Sequence, residues 1–519
     1  MVRTTDIKTS APAATERAGT GIAGLDEILG GGLPTNHLYL LDGEPGTGKT
    51  TLALQFLLEG VSKGEKGLYV TLSESRAELE GVASSHGWSL DGVEIFELAE
   101  QGLGQTEDNY TIFHPAEVEL QSTVDAVLKT VEDLNPKRIA FDSLSEMRLL
   151  AREPLRFRRQ ILGLKQFFSG RECTVLLIDD KTAPEGDLQL HSLAHGVIVL
   201  EHVALEYGSE RRRLQVTKVR GVHFRGGYHD FRILRGGISV FPRILHDRPR
   251  VDLTAKEILS GSEPLDKMLG GGVACGTSML ITGAAGTGKS VLCTQFARAA
   301  LSRGEKVLFY LFDERLGTFQ LRTDTLDMSV TAERESGQLI MSQIEPTELS
   351  PGEFASQVVR AVEDGGVSMV IIDSLNGYLQ SMPEERLLGI QIHELLSFLS
   401  NNGVTCLMTL VQHGIFGNPV DEAVDVSYLA DTVLLLRYFE VHGAVRQAVS
   451  VVKKRSGEHE RTIRECRVQK GGMRVGEALH EFQGVLTGVP HYTGGTAPLM
   501  SDGESAASPI RGAKKAPRA

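Results

Sequence analysis

Two glycine-rich segments of this sequence have the residues and the spacing that bind phosphate groups. Each reads Gly, four residues, then Gly-Lys-Thr or Gly-Lys-Ser, directly after an apolar run. In such a loop, backbone N–H groups surround the phosphates, the lysine adds a positive charge, and the following hydroxyl can ligate Mg²⁺. The predicted nucleotide-binding residues are Gly43, Gly46, Thr47, Gly48, Lys49, Thr50 and Thr51 in the first segment, and Gly283, Gly286, Thr287, Gly288, Lys289 and Ser290 in the second.

A nucleotide site of this kind also needs a carboxylate at the end of a neighbouring strand to hold hydrated Mg²⁺. Asp142 and Asp373 each close an apolar run and are followed by serine. An aspartate at the end of a strand is often only a turn former, but its position after a phosphate loop favours a metal ligand. The predicted Mg²⁺ ligands are Thr50 and Asp142 in the first copy, and Ser290, Asp373 and Asp313 in the second.

Hydrolysis or phosphoryl transfer requires a group that orients or deprotonates the attacking oxygen. Glu74 follows the predicted strand 68–72 with Ser73 before it, whereas the corresponding position of the second copy has both Asp313 and Glu314. We predict catalytic roles for Glu74, Asp313 and Glu314, together with Lys49 and Lys289. The alternative for each carboxylate is a solvated acidic turn.

The two phosphate loops belong to an internal repeat, because Lys289 lies 240 residues after Lys49 and the preceding segments 21–32 and 261–272 also align. A period this long indicates a domain duplication. In both copies, apolar strand-like runs alternate with amphipathic segments, which predicts a mostly parallel sheet flanked by helices with a β-rich C-terminal part. Predicted strands in the first copy include 68–72, 94–98, 138–142 and 174–179, and predicted helices 51–62, 76–86, 116–134 and 155–168. The second copy has predicted strands 307–312, 338–342, 367–373 and 405–410, and a predicted helix 384–400.

Composition narrows the class of protein. The 519 residues, 41% hydrophobic and 23% charged, suit two or three globular domains, and the net charge of −13 disfavours nucleic acid as the main partner. The five cysteines are scattered, so we expect reduced thiols, and without an apolar leader or membrane span we expect a cytoplasmic protein. The predicted divisions are a flexible segment 1–17, domains 18–247 and 248–490, and a disordered tail 491–519.

From about residue 20 to 490 the chain resembles the KaiC family, duplicated RecA-like ATPases that include the central component of the cyanobacterial circadian clock. The resemblance rests on both phosphate loops, both Leu-Asp-x-x-Leu-Gly-Gly-Gly lead-ins, both Asp-Ser strand ends and two basic segments near 218 and 453. It implies two tandem RecA-like P-loop domains of α/β class, with Mg²⁺ and ATP bound between the subunits of a homohexamer. It further implies that basic residues reach a neighbour's γ-phosphate, which identifies Lys218, Arg220, Lys453 and Arg455 as candidates. Without the resemblance, the alternative interpretation of these residues is an exposed strand rich in arginine and lysine.

This sequence departs from the family pattern at two places. Family sites carry Glu-Glu where the first copy has Ser73-Glu74 and the second has Asp313-Glu314. In the autophosphorylation segment, Ser427 matches the family's phosphoserine, but Tyr428 replaces its phosphothreonine. The resulting hypothesis is that Ser427 accepts the γ-phosphoryl group in a neighbouring second-domain site, with Asp313 as base and Glu314 assisting. The alternative is an ordinary serine near the start of a strand.

The sequence therefore predicts an oligomeric ATPase with serine autokinase activity in a timing or signalling circuit, with KaiA-like or KaiB-like regulators as partners. One alternative is a RecA-type DNA-binding motor, which would be expected to show basic channel loops and a DNA-binding module. Another is a nucleotide-gated scaffold with little turnover, which the missing carboxylate beside Glu74 favours for the first domain.

Overall fold

The computed structural model describes residues 16–97, 115–151, 153–181, 189–204, 208–244, 256–345, 347–380, 388–412, 428–441, 443–485 and 491–492. Ser427, the predicted phosphorylation site, lies outside the described residues, as do most of the predicted flexible ends. The chain divides into two compact units, one made of Met1–Ile244 with Thr347–Gln357, the other of Leu245–Pro346 with Val358–Ala519.

The first half of the chain contains eleven strands and seven helices among its described residues. The strands are β1 Arg17–Ala18, β2 Leu33–Pro34, β3 Leu38–Gly43, β4 Gly67–Thr71, β5 Val93–Glu97, β6 Arg138–Asp142, β7 Thr174–Asp179, β8 Gly196–Val203, β9 Arg211–Val219, β10 Tyr228–Leu234 and β11 Gly237–Phe241. The helices are α1 Ala23–Ile28, α2 Lys49–Ser62, α3 Arg76–His86, α4 Pro115–Leu134, α5 Leu144–Ala151, α6 Pro154–Phe168 and α7 Gln189–Leu193.

The second half has a similar, but not identical, order of elements among its described residues. Its strands are β12 Glu257–Ile258, β13 Val273–Ala274, β14 Ser278–Gly283, β15 Val307–Leu311, β16 Leu339–Gln343, β17 Met369–Asp373, β18 Thr405–Val411, β19 Thr432–Val441, β20 Ala444–Lys454, β21 Arg464–Gln469, β22 Gly472–Ala478, β23 Phe482–Gln483 and β24 His491–Tyr492. Its helices are α8 Glu263–Met268, α9 Lys289–Ser302, α10 Leu316–Thr325, α11 Thr331–Glu335, α12 Pro351–Gly365, α13 Leu375–Gln380 and α14 Leu388–Asn401.

Each half forms one nine-stranded sheet from its described strands, and the two sheets have the same strand order. The first is β5-β4-β6-β7-β3-β8-β9-β10-β11 and the second is β16-β15-β17-β18-β14-β19-β20-β21-β22. The six strands from β5 to β8 pair in parallel, and β9 to β11 are antiparallel. This architecture confirms the predicted α/β fold with a β-rich C-terminal part in each copy.

The strand that precedes each phosphate loop lies inside its sheet and is buried along its whole length. In β3, Tyr39 and Leu41 pack into the core on one face, whereas Leu38 and Leu40 pack into the core on the other. Burial on both faces explains why the strand is almost continuously apolar. Because parallel strands end at the same edge, this central position brings the ends of β3, β7, β6 and β4 together.

Two further properties follow from the described residues. None of the described helices is long and apolar enough to span a membrane. The five cysteines are all free thiols, and all except the partly exposed Cys275 are buried.

Two candidate nucleotide sites

Each phosphate loop connects the end of a buried strand to the N-terminus of a 14-residue helix. Gly48 and Gly288 cap these helices in the left-handed conformation, with φ of 100° and 94°. A Cβ at Gly48 would lie 2.7 Å from Ile233 Cδ1, and one at Gly288 would lie 2.7 Å from Val468 Cγ2. Glycine is therefore required at both positions, because other residues rarely adopt the left-handed conformation and a Cβ would clash. Glycine also leaves the N–H groups of the helix accessible to an anion.

The loop lysines are held differently in the two copies. Lys289 Nζ donates to the carbonyl oxygens of Gly283 at 2.9 Å and Ala284 at 2.7 Å, and burial lowers its pKa. Lys49 Nζ makes the equivalent pair of 2.8 Å bonds to its own loop. In addition it forms an ion pair of 2.9 Å with Asp180 Oδ1. Sequence reasoning missed Asp180, which no local motif marks.

Asp142 is the last residue of β6 in the first sheet, and Asp373 is the last residue of β17 in the second. Both are predicted to hold Mg²⁺, and each lies at the edge of its sheet where the phosphate loop begins. Tyr69 donates to Asp142 Oδ2 at 2.5 Å, and Thr409 donates to Asp373 Oδ1 at 2.5 Å. Burial is the main cause that raises the pKa of both carboxyl groups. Such buried carboxylates need a compensating partner to remain charged.

The second site fits Mg²⁺ on the evidence of its orphaned oxygen. Asp373 Oδ2 is buried and has no hydrogen-bond partner in the described part of the chain, and the Ser290 hydroxyl interacts with the same carboxyl group. The described residues include no cluster of three or more His, Cys, Asp or Glu that could hold a metal. A single carboxylate with a hydroxyl suits Mg²⁺, which commonly takes its other ligands from water and nucleotide phosphates.

Glu74 combines a raised pKa with a buried carboxylate oxygen. Burial raises its pKa to about 7, and the negative charges of Asp142, Glu78 and Asp180 add to this effect. Its Oε2 is buried without a hydrogen-bond partner among the described residues. A carboxyl group that titrates near neutral pH can exchange protons with water in this range.

The two carboxylates of the second site are not equivalent. Ser374 Oγ donates a hydrogen bond to Asp313 Oδ2. Glu314 instead forms a bidentate pair with Arg322 on α10, at 3.1 Å from Nε to Oε1 and 2.8 Å from Nη2 to Oε2. The 240-residue repeat places Val82 at the position of Arg322 in the first copy. Sequence reasoning missed Arg322. Its position eight residues after Glu314, on the helix that follows, could have indicated that the two side chains are close enough to pair.

The predicted basic residues of the first copy lie away from its phosphate loop. Lys218 pairs with Val197, which pairs with Leu40 near the start of β3, whereas the loop begins at the other end, at Gly43. Lys218 Nζ donates to two carbonyl oxygens, of His191 at 2.6 Å and Ala194 at 2.7 Å. Arg220 Nη2 donates to the Ser192 carbonyl at 2.8 Å. At about 3.3 Å per residue, Leu40 lies about 10 Å along the strand from Gly43, which is three residues further on.

The second copy repeats this arrangement. Lys453 pairs with Val433 next to Leu280, near the start of β14, and its Nζ donates to the Ala430 carbonyl at 2.8 Å. Arg455 donates to the Tyr428 carbonyl at 2.9 Å and lies 3.4 Å from Asp431 Oδ1. In neither copy does the fold bring the basic pair to the phosphate loop of its own domain.

Comparison of the sequence with known proteins matches it to one family. The family described as "ATPase: KaiC" matches residues 18–244 and 258–480, which are most of the chain. Circadian clock protein KaiC3 of Synechocystis sp. is 26% identical over 492 residues, covering 92% of this chain and 95% of the relative. The circadian clock oscillator proteins KaiC of Picosynechococcus sp. and Acaryochloris marina are 26% and 25% identical, each covering 91% of this chain and, respectively, 92% and 90% of the relative. With two ATP-binding phosphate loops on two RecA-like sheets, and a family match that covers both, this chain belongs to the KaiC family of ATPases.

Proposed function

We propose that this protein hydrolyses ATP in composite sites between the subunits of a homohexamer and phosphorylates its own Ser427, in a timing or signalling circuit. The observation that carries this proposal is the strand register. Lys218 and Lys453 lie level with the third residue of the strand that leads to their own phosphate loop, and Arg220 and Arg455 lie further from that loop, near the start of the same strand. This position supports a role for each pair at a nucleotide held by another subunit.

Each composite site combines the residues of two subunits. One subunit supplies the loop that holds the phosphates, the lysine of that loop, and the carboxylates at the ends of β4 and β6 or their counterparts. The next supplies a lysine and an arginine that stabilise the negative charge developing on the γ-phosphate. Bound Mg²⁺ would neutralise charge on the β- and γ-phosphates. Asp142 with Thr50, and Asp373 with Ser290, are the residues proposed to hold it.

The second site is the proposed kinase. Ser427 directly precedes Tyr428 in the sequence, and Arg455 of the proposed trans-acting pair donates a hydrogen bond to the Tyr428 carbonyl. In the transfer, the Ser427 oxygen bonds to the γ-phosphorus as the bond to the β–γ bridging oxygen breaks, releasing ADP. The hydroxyl proton passes to Asp313, since Glu314 is already engaged by Arg322.

Phosphorylation of Ser427 can be tested by incubating the full chain with Mg-ATP and mapping phosphate by mass spectrometry. We expect phosphate on Ser427, its loss in Ser427→Ala, and a strong reduction in Asp313→Asn. Tyr428→Phe is the matched control, because it removes the adjacent hydroxyl and leaves Ser427 in place. Unmodified Ser427, or undiminished labelling of Ser427→Ala, would contradict the assignment.

The circuit and its partners are proposed from the relatives. The matched relatives are named as circadian clock proteins, and we propose KaiA-like or KaiB-like regulators as partners of this chain. Pull-down with purified proteins of these two kinds, in the presence of ATP and of ADP, tests the proposal. Absence of binding in both nucleotide states would contradict the proposed KaiA-like or KaiB-like partners.

A further inference from the structure

The first site lacks one of the two carboxylates expected after β4, because Ser73 stands where the second site has Asp313. The fold supplies another carboxylate at the same edge of the sheet. Asp180 directly follows β7, which lies between β3, the strand that leads into the phosphate loop, and β6, which ends in Asp142. Asp180 is therefore closer in strand order to the loop than Ser73 is.

Asp180 lies beside the lysine of the phosphate loop and makes contacts with Lys49 and Ser145. Its Oδ1 lies 2.9 Å from Lys49 Nζ. Its Oδ2 accepts a 2.9 Å hydrogen bond from Ser145 Oγ, and its backbone N–H donates back to the same hydroxyl at 3.1 Å. The side chain keeps 30% of its exposure, so water can reach it.

The second copy has no charge at this position. By sheet register, β7 pairs with β3 as β18 pairs with β14, so the counterpart of Asp180 is Val411. The supporting hydroxyl, in contrast, is present in both copies. Ser374 donates to Asp313 in the second site, and Ser143, which also follows the strand-end aspartate, hydrogen-bonds to Asp180 in the first. The same serine position thus supports one carboxylate in each site, although the carboxylate comes from a different strand.

We propose that Asp180 is a catalytic residue of the first site and replaces the carboxylate missing at Ser73. This inference rests on the proposed hydrolysis of ATP in that site. When the phosphates of ATP engage Lys49, the Asp180 carboxylate exchanges the ammonium group for the attacking water. The water oxygen bonds to the γ-phosphorus as the bond to the β–γ bridging oxygen breaks, giving ADP and inorganic phosphate. Asp180, with Glu74, accepts the water proton and returns it to solvent.

The test uses the full chain with its second site weakened by Asp313→Asn and Glu314→Gln, and measures steady-state ADP release and ATP affinity. In this background we expect Asp180→Asn to lower kcat at least tenfold, with ATP affinity unchanged or higher, because Lys49 loses a competing anion. Asp179→Asn is the matched control. It neutralises the preceding carboxylate, which Arg148 binds at 2.7 Å, and should change kcat much less.

A rescue variant separates catalysis from a structural role. Ser73→Asp combined with Asp180→Val reproduces the carboxylate arrangement of the second site and should recover most of the lost rate, which a purely structural role of Asp180 would not allow. Unchanged kcat in Asp180→Asn, or failure of this rescue, would overturn the role of Asp180 alone. A background with no ADP release at all would overturn hydrolysis in the first site and the role of Asp180 with it.

Discussion

At the level of single residues, the two nucleotide sites differ in where their charges stand. The first has Asp180 where the second has Val411, and the second has Arg322 where the first has Val82. Both differences change which carboxylate is available to an attacking oxygen. The first site has a carboxylate bound to the loop lysine, and the second has a glutamate bound to an arginine. The unequal sites therefore result from substitutions around a shared phosphate loop.

The first site should depend on pH through Glu74, whose pKa is about 7. A base must be ionised to accept a proton, so kcat/KM should rise by roughly eightfold to tenfold from pH 6 to pH 8. Steady-state ADP release in the Asp313→Asn, Glu314→Gln background measures this profile. Glu74→Gln serves as the control, and its remaining activity should not change over this pH range. A pH profile that stays flat with Glu74 present would contradict the prediction.

The same shift predicts a change in stability. Because the folded-state pKa of Glu74 lies above the ordinary value of 4.5, the folded chain loses stability as pH rises from about 4.5 to about 7. Above pH 7 the loss is complete. We therefore expect Glu74→Gln to raise the Tm of the first domain at pH 8 and to have little effect at pH 4.5. Thermal unfolding at the two pH values checks this, and equal shifts at both would argue against a raised pKa.

Arg322 should restrain hydrolysis in the second site. Arg322→Val installs the first-copy residue and releases Glu314, so we expect ADP release to rise several-fold, with a loss of about 1 kcal/mol of stability from the partly exposed pair. The measurement uses a background with Glu74→Gln and Asp180→Asn, which removes both carboxylates proposed to accept the proton in the first site. Arg322→Lys keeps the positive charge but lacks the planar guanidinium group. Its rate of ADP release should therefore lie between those of the parent chain and Arg322→Val. A rate that stays constant or drops in Arg322→Val would show that Arg322 does not restrain Glu314.

At the level of elements, boundaries were predictable where local chemistry fixes them. Strands 138–142 and 174–179 and helix 76–86 have the predicted bounds. The helix begins after a capping box between Ser75 and Glu78 and ends at Gly87 in the left-handed conformation. Helix α2 begins at Lys49, two residues before its prediction, because Gly48 is already its cap.

The candidate sites were predictable only in part, for a physical reason. The loop residues are contiguous in sequence, so their spacing reveals them. The pair Lys49–Asp180 joins the first residue of α2 to the residue after β7, 131 positions along the chain, and the neighbouring positions of β3 and β7 in the sheet are needed to predict it. The Arg322–Glu314 pair depends on the side chains that α10 turns toward the site, which single-sequence patterns do not resolve.

The basic strand β9 should act between subunits, which a mixing experiment can show. In the background with a weakened second site, chains with Glu74→Gln and Asp180→Asn lack both proposed bases, and chains with Lys218→Ala and Arg220→Ala lack the basic pair. Each should be nearly inactive alone. Mixed in equal amounts and reassembled, they should recover about a quarter of the parent rate, since one in four interfaces joins two intact halves.

Action within one chain predicts a different result for the same mixture. No subunit in it carries both an intact base and an intact basic pair, so activity would stay at the level of the separate variants. Mixing each variant with the parent chain controls for losses during reassembly. Recovery in the mixture would exclude action within one chain.

At the level of the whole molecule, assembly should depend on nucleotide bound to the first domain. We expect a sixfold mass in Mg-ATP for the parent chain, retained in Lys289→Ala and lost in Lys49→Ala, because phosphates bound at Lys49 complete the interface with the next subunit. Light scattering with and without nucleotide measures this. Loss of assembly in Lys289→Ala alone would place the controlling site in the second domain.

The position of Lys218 and Arg220 away from the phosphate loop of their own domain has a genetic consequence. If each chain completes one site with its own loop and another with its basic strand, a chain defective in both features disables two sites in a ring. In a cell with equal amounts of normal and doubly defective chains, an active site needs two normal neighbours, so about a quarter of first-domain sites would work instead of half. Such an allele would be dominant-negative, whereas an allele that prevents synthesis of the chain would be recessive.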